Sequence, residues 1–393
     1  MKKDLEKAEP LLNPSDPDRG SYENEKSERN VVYPLLLSCL AAIGSFLFGW
    51  TLGFSAPSLI PMENRNDGDF PSPLECVEYN TDDKTAENYG LCKTSPQGDL
   101  FGSIVNIGCM GGAFVGYFMD RIGRRGGLAA ACLPFAGGFA WIALTDSSYT
   151  QLIIARILTG FAVGMVSCTV PVFIAEVAPP DLRGALGCIN QLAITIGIFA
   201  VYASGIAFEK EVTLTGPWDG NDGKTTKKFA DWPLIAWVGA VVAAAYFVLT
   251  VFLLPESPKW LVSKGKVAEA RVNLTNLRGG DFDVDSEIDE QISASKASDD
   301  GSPTTFRDLL APENREQMFV GCSLMVLQQF TGINAVIFFS TEIFSDAGVK
   351  GSEGSVIVMA VQVVVTAFAC LVVDRAGRKL LLYVASLGMI FSR

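Results

Sequence analysis

The sequence predicts an all-α, polytopic membrane protein built from two related helical bundles, and three observations carry that prediction. Of the 393 residues, 49% are hydrophobic and only 19% charged, against roughly a quarter charged in soluble domains. The apolar residues come in blocks close to the ~20 residues that a helix needs to cross a bilayer core. One short charged phrase is also written twice, as "GYFMDRIGRR" at 116–125 and "CLVVDRAGRK" at 370–379, each time at the end of an apolar run.

In chain order, a polar tail at 1–33 precedes candidate spans at 34–57, 98–119, 127–146, 151–174, 184–208 and 232–254. A polar segment, 58–97, separates the first span from the second. After the sixth span comes a hydrophilic stretch, 255–315, in which "KVAEARVNLTNL" and the acidic "DFDVDSEIDEQI" read as short helices. Spans resume at 317–340, 354–373 and 380–392, within a partial second bundle at 316–393. Basic residues of the loops decide which side faces the cytoplasm. Lys2, Lys3, Lys7 and Arg29 in the tail share a side with Arg121, Arg124 and Arg125, with Arg183, with Lys259 and Lys264, and with Arg375, Arg378 and Lys379. The expectation is therefore a cytoplasmic N-terminus.

Composition also excludes chemistry. Histidine is absent, which removes Ser-His-Asp and Cys-His catalysis and the commonest zinc ligand. No C-x-x-C pair occurs among the nine cysteines, so no metal site and no cofactor is expected. Seven cysteines fall in spans, where a thiol behaves as a small apolar group. Cys76 and Cys92 instead share the polar segment 58–97, where they would pair as a disulfide if that segment faces an oxidising compartment. The net charge of −12 resides in acidic loops that read as solvated faces, with no footprint for nucleic acid. No enzyme is expected.

Both D-R-x-G-R-(R/K) copies follow the second span of a six-span half, and matching charged turns in repeated halves mark a transporter whose bundles rock about a central site. Further phrases make the match specific: "PVFIAEVAPPDLRG" between spans four and five, "QLAITIG" in span five, "LPESPKWL" after span six and "QQFTGINAVIFFS" in span seven. From about residue 35 to its end the chain resembles the sugar porter branch of the major facilitator superfamily. Within it the chain is nearest the early-dehydration-type, intracellular hexose and trehalose carriers. The resemblance implies two six-helix bundles and movement of monosaccharides by alternating access, with a monomeric transport unit in a lipid bilayer. The family continues through twelve spans, with a tryptophan-bearing tenth span and a P-E-T-K-G phrase. This chain stops at Arg393 after about nine, so the expectation is an incomplete second half.

Sugar hydroxyls both donate and accept, as do neutral carboxamides, and polar groups at mid-membrane are costly unless used. By resemblance Gln191, Gln328, Gln329 and Asn334 are the sugar-binding amides, and Gln362 is a fifth contact. Phe48 matches an aromatic residue that flanks the sugar, although packing explains it equally from sequence. Regular helical spacing would place Gln328, Gln329 and Asn334 within two turns. The charges Asp120, Arg121, Arg124, Arg125, Glu176, Arg183 and Glu256 in the first half, with Asp374, Arg375 and Arg378 in the second, are implied as an inter-bundle ionic gate.

"FGWTLG" at 48–53 bears on coupling. Proton-coupled relatives place a proton-carrying aspartate where this chain has Thr51, while Arg156, the intramembrane partner of that aspartate, remains. Uniport is the favoured expectation. Alternatives are proton symport through another carboxylate such as Glu342, and a non-transporting sugar sensor. The sugar and the membrane (plasma, or vacuolar or lysosomal) stay open.

Overall fold

The computed structural model describes residues 31–63, 73–76, 78–79, 92–116, 119–145, 148–215, 224–279, 283–298, 312–347 and 351–391. Among them, eight helical stretches are long and apolar enough to cross a membrane. They are Val32–Glu63, Pro96–Gly116, Arg121–Ala143, Tyr149–Val177, Pro180–Ala207, Trp232–Leu253, Arg315–Phe344 and Ser352–Val373, and a shorter apolar helix covers Lys379–Ile390.

The first span is α1 (Val32–Gly53) continued by α2 (Ser55–Glu63). Two short strands, β1 (Glu78–Tyr79) and β2 (Cys92–Thr94), pair antiparallel in the following segment. The second span is α3 (Pro96–Ser103) with α4 (Val105–Gly116), and α5 (Met119–Ala143), α6 (Tyr149–Val177) and α7 (Arg183–Ala207) follow. A hairpin of β3 (Glu209–Thr215) and β4 (Lys224–Ala230) then leads into α8 (Trp232–Leu253). Capping starts several of these helices. The Ser95 hydroxyl accepts from Gly98 N at 3.1 Å with Pro96 behind it, and the Asp231 carboxylate accepts from Leu234 N at 3.2 Å. A side-chain acceptor and a proline at the first turn are what an N-terminus with orphan N–H groups requires.

Small residues set how closely the spans approach. Gly108 and Gly112 on α4 face the backbone of α6, where a Cβ on either would collide with the carbonyl oxygens of Ile157 and Phe161. α6 answers with Gly160 and Gly164, which face the carbonyls of Val105 and Cys109. Backbone-to-backbone packing of this kind supplies the association that the hydrophobic effect cannot supply between helices in lipid. α1 and α8 are tied by the Tyr246 hydroxyl, which donates to Ala41 O at 2.9 Å.

Beyond α8, α9 (Pro258–Ser263), α10 (Val267–Arg278) and α11 (Val284–Ser298) form a small helical cluster. Ser257 caps α9, accepting from Trp260 N at 3.4 Å, with Pro258 at the first helical position. Leu261, Val262 and Ala270 make one buried patch; Leu274, Val284 and Ile288 make another. Arg278 fixes this cluster to the bundle. Its guanidinium pairs with both Glu287 oxygens at 3.0 Å and donates to Val177 O, the last residue of α6, at 3.2 Å.

The second half contributes α12 (Pro312–Phe330), α13 (Ile333–Asp346), α14 (Gly351–Ala376) and α15 (Arg378–Phe391). α13 packs on α14 and α2, α14 runs along α7, and α12 touches chiefly α13. α12 accordingly leaves Phe319, Val320, Met325, Leu327 and Phe330 exposed.

Two features differ from the sequence expectation. Glu63, placed among solvated acidic residues, lies at the end of the continued first span and is only 6% exposed. Residues Glu209–Thr215 and Lys224–Ala230, to which the sequence alone assigns no element, pair as an antiparallel ladder, with Thr213 opposite Thr226 and Glu211 opposite Lys228. Their β-branched Val and Thr residues fit a pleated strand, a preference masked in the sequence by the interleaved lysines.

Candidate sugar-transport site

Four elements carry the five carboxamides: Gln191 lies on α7, Gln328 and Gln329 at the end of α12, Asn334 in the first turn of α13, and Gln362 on α14. The seventh span is not continuous, as helical spacing implied. Gly332 adopts φ 73° and breaks it between α12 and α13. A left-handed backbone is the conformation that glycine adopts without a Cβ penalty. Thr331 N and Gly332 N close tight turns onto Gln328 O and Gln329 O at 3.3 and 3.2 Å. Across that break the Asn334 amide donates to Gln329 Oε1 at 2.8 Å. The pair is therefore joined by the break rather than by two helical turns. A discontinuous helix exposing polar groups is tolerated at membrane depth where it lines a cavity.

Gln191, Gln328 and Gln362 make no side-chain hydrogen bond among the described residues; Gln191 and Gln328 are exposed and Gln362 is half-buried. Beside Gln191, Asn190 is engaged instead, its Oδ1 accepting from the Ser45 hydroxyl of α1 at 2.6 Å. That contact fixes the rotation of α7 and leaves Gln191 unspent. Sequence reasoning did not single out Ser45 or Asn190. Phe48 is half-buried against the main core, three residues before Thr51.

Arg156 is fully buried on α6. One Nη donates to Thr51 O at 2.8 Å and the other to the Ser55 hydroxyl at 2.5 Å. The Phe54 and Phe101 rings lie 5.6 and 5.0 Å from the guanidinium carbon, a cation–π cage that partly offsets desolvation. No carboxylate bonds it among the described residues. Thr51 spends its hydroxyl on Leu47 O at 2.8 Å. Ser55 was missed in the sequence, although it lies one helical turn after Thr51, where a neighbour on the same face belongs.

At the opposite end of α6 the charges form a compact group. Arg124 pairs bidentately with Glu176 through Nε and Nη2, both at 2.9 Å. Glu256 Oε1 accepts from the backbone N–H groups of Arg124, Arg125 and Ser257 at 2.7, 3.3 and 3.0 Å. Arg125 Nη2 donates to Val251 O. Gly123 explains the geometry: its φ of 86° and ψ of 170° break α5, so the helix beyond it begins afresh and presents bare N–H groups to the carboxylate. A helix N-terminus is a ready anion site. A Cβ on Gly123 would strike Glu256 Oε2, so the residue is demanded by conformation and by space. The described partners all belong to the first half. Arg121 and Arg183 are exposed, and Arg183 has no ion pair among the described residues. The side chains of Asp120, Asp374, Arg375 and Arg378 lie outside the described set. The two charged phrases nevertheless share a backbone feature: Gly377, the counterpart of Gly123, adopts φ 80°.

At the far end, Cys76 and Cys92 are disulfide-bonded, with Cα atoms 5.7 Å apart. The bond closes the β1–β2 segment against α3, where Ser95 Oγ donates to Glu75 O at 3.1 Å. Among the described residues no cluster of metal-ligating side chains occurs.

A broken, amide-bearing helix against a six-span bundle with repeated glycine turns is the architecture of the major facilitator fold. Comparison with known proteins agrees. A family profile described as "Sugar (and other) transporter" matches residues 37–392, and the chain belongs to this sugar porter family. It is 35% identical to Sugar transporter ERD6-like 6 of Arabidopsis thaliana, over 91% of this chain and 64% of that protein. It is 31% identical to the Facilitated trehalose transporter Tret1 of Drosophila willistoni, over 91% of this chain and 36% of that one. The chain thus spans less than two thirds of these relatives. Among solved structures, the proton:xylose symporter XylE bound to 6-bromo-6-deoxy-D-glucose superposes with a TM-score of 0.66 at 26% identity, covering 89% of this chain and 71% of that one. A partially occluded inward-open form of XylE from E. coli gives 0.62 at 26% identity, covering 88% and 74%.

Proposed function

We propose that the protein moves a hexose-like monosaccharide across a membrane by alternating access, as a uniporter. The carrying observation is the set of unspent carboxamides on α7, α12 and α14 beside the Gln329–Asn334 pair. Amides on membrane spans that have no protein partner among the described residues are held ready for a ligand that donates and accepts at several hydroxyls. Counterflow of radiolabelled hexoses in proteoliposomes tests this. Gln191→Ala and Gln328→Ala are each expected to lower uptake about tenfold, the equivalent of one strong hydrogen bond at about 1.4 kcal/mol. Undiminished uptake in both sinks the reading, and sugar binding without flux would make the protein a sensor.

Uniport is supported by Arg156, whose bonded partners are neutral. Acidifying the outer solution should then leave the final accumulation ratio of sugar at one. A second reading, proton symport, is favoured by one observation: Glu63 is buried and interacts with the half-buried Glu342 across the two halves. Accumulation driven by a proton gradient, and lost in Glu342→Gln, would establish it in place of uniport.

In this reading the N-terminus and the charged turns face the cytoplasm, and the disulfide-closed end faces outward. The first-half charges bind partners in Asp374, Arg375 and Arg378 when the inner side closes, breaking together as one ionic network. The transport unit is a monomer, in the plasma membrane or a vacuolar or lysosomal one.

A further inference from the structure

Tyr202 is a buried tyrosine with no part in the site described above. It lies on α7, 3% exposed, and its hydroxyl crosses from the first half to the second. There it donates to the backbone carbonyl of Ile337 and accepts from the Ser340 hydroxyl at 2.8 Å. Ser340 is itself fully buried, and Ile337 and Phe338 nearly so.

Local geometry explains why α13 can receive it. Phe339 leaves helical dihedrals at φ −120° and ψ 16°, two residues beyond Ile337. Helices bend where a side chain intrudes on the i→i−4 ladder. The tyrosine ring is seated firmly: Gly53 on α1 leaves it room, since a Cβ there would lie 3.2 Å from Tyr202 Cε2. On the other flank Gly102 of α3 makes room for the Phe339 ring, which would lie 3.1 Å from a Cβ at that glycine. All three partners are buried, so parting α7 from α13 strands the Tyr202 and Ser340 hydroxyls and the Ile337 carbonyl unless water enters. A contact that is satisfied closed and satisfied wet, but not between, has two discrete states.

We propose that Tyr202 is the latch of the outer gate, a positioning residue whose bonds to Ile337 and Ser340 must break whenever the site opens on that side. The proposal rests on the alternating-access reading, but its test does not need sugar flux. The chain is reconstituted with a Thr341→Cys reporter, which lies beside the latch and is 8% exposed at the native threonine. Modification of that cysteine by an impermeant external thiol reagent is followed by peptide mass spectrometry. Tyr202→Phe keeps the ring and removes the hydroxyl; it should speed labelling about tenfold, a shift in open population of the size one lost hydrogen bond produces. Ser340→Ala should speed it less. The double variant should match Tyr202→Phe alone, because both substitutions open the same contact. Where sugar flux is present, the external half-saturation concentration should fall while the internal one rises, an asymmetry that general loosening does not produce. Labelling within about twofold of the parent, or additive effects of the two substitutions, overturns the latch. If the parent moves no sugar the transport reading fails, and the labelling comparison still decides the latch.

Discussion

At Gly123 two requirements meet: a backbone with φ 86° and ψ 170°, and contact with Glu256 so close that no Cβ fits. Its counterpart Gly377 shares the positive φ, but among the described residues the place of a Cβ there is open space. Alanine at either position therefore carries a backbone cost of about 1–3 kcal/mol, while Gly123→Ala must also evict the carboxylate from its three N–H donors. Thermal unfolding of the two variants in detergent should rank Gly123→Ala well below Gly377→Ala, and equal midpoints would refute the capping account. The sequence displayed the repeat that contains both glycines, and it displayed Arg156 and Thr51. It did not display that Glu256 would bind backbone N–H groups instead of an arginine side chain. The difference lies in dihedral angles that the letters D-R-I-G-R-R do not spell out.

Among the elements, the spans were legible because bilayer thickness forces long apolar runs, and each described crossing falls within a few residues of its apolar block. The break between α12 and α13 was not legible. Apolar periodicity continues through "QQFTGINAVIFFS", and a single glycine does not announce the sign of its φ. The β3–β4 hairpin was hidden for a related reason, since alternation weakens when lysines occupy both faces. The contact of α7 with α14 yields a prediction. Cys370 Sγ lies 3.7 Å from Cys188 O and also contacts the Cys188 thiol, which joins the halves one turn from Gln191. Mild oxidation with copper phenanthroline should link Cys188 to Cys370, as read by peptide mapping. Reductant should restore sugar uptake, and serine at either position should abolish both the link and the loss of uptake. Failure to crosslink would remove this inter-half contact from the account.

For the whole molecule, the elements divide into a tightly jointed first half, a helical cluster anchored at its charged end, and a second half that leans on α7 and α2. Arg278 joins the first two, bridging Glu287 and the last carbonyl of α6. Removing it leaves the half-buried Glu287 carboxylate with only the Gln291 amide at 3.4 Å and the Val177 carbonyl without its side-chain donor, so Arg278→Ala should cost about 1–3 kcal/mol. The expected readout is a lower melting temperature with faster proteolysis within 267–298, and unchanged protease resistance would show that the cluster is held by its apolar contacts alone. The resemblance to sugar porters was readable end to end, yet the seat of Tyr202 against Ile337 and Ser340 was not. Residues 138 positions apart in sequence meet there only because α13 bends.

The seam between α4 and α6, where Gly108 and Gly112 face carbonyls across from Gly160 and Gly164, leaves no slot for an acyl tail. A surfactant dissolves a helical membrane protein by wedging between neighbours, and here the wedge has nowhere to enter. Under solubilisation that pair should stay joined to the last, whereas α12, with chiefly α13 beside it, is the first piece that micelles strip away.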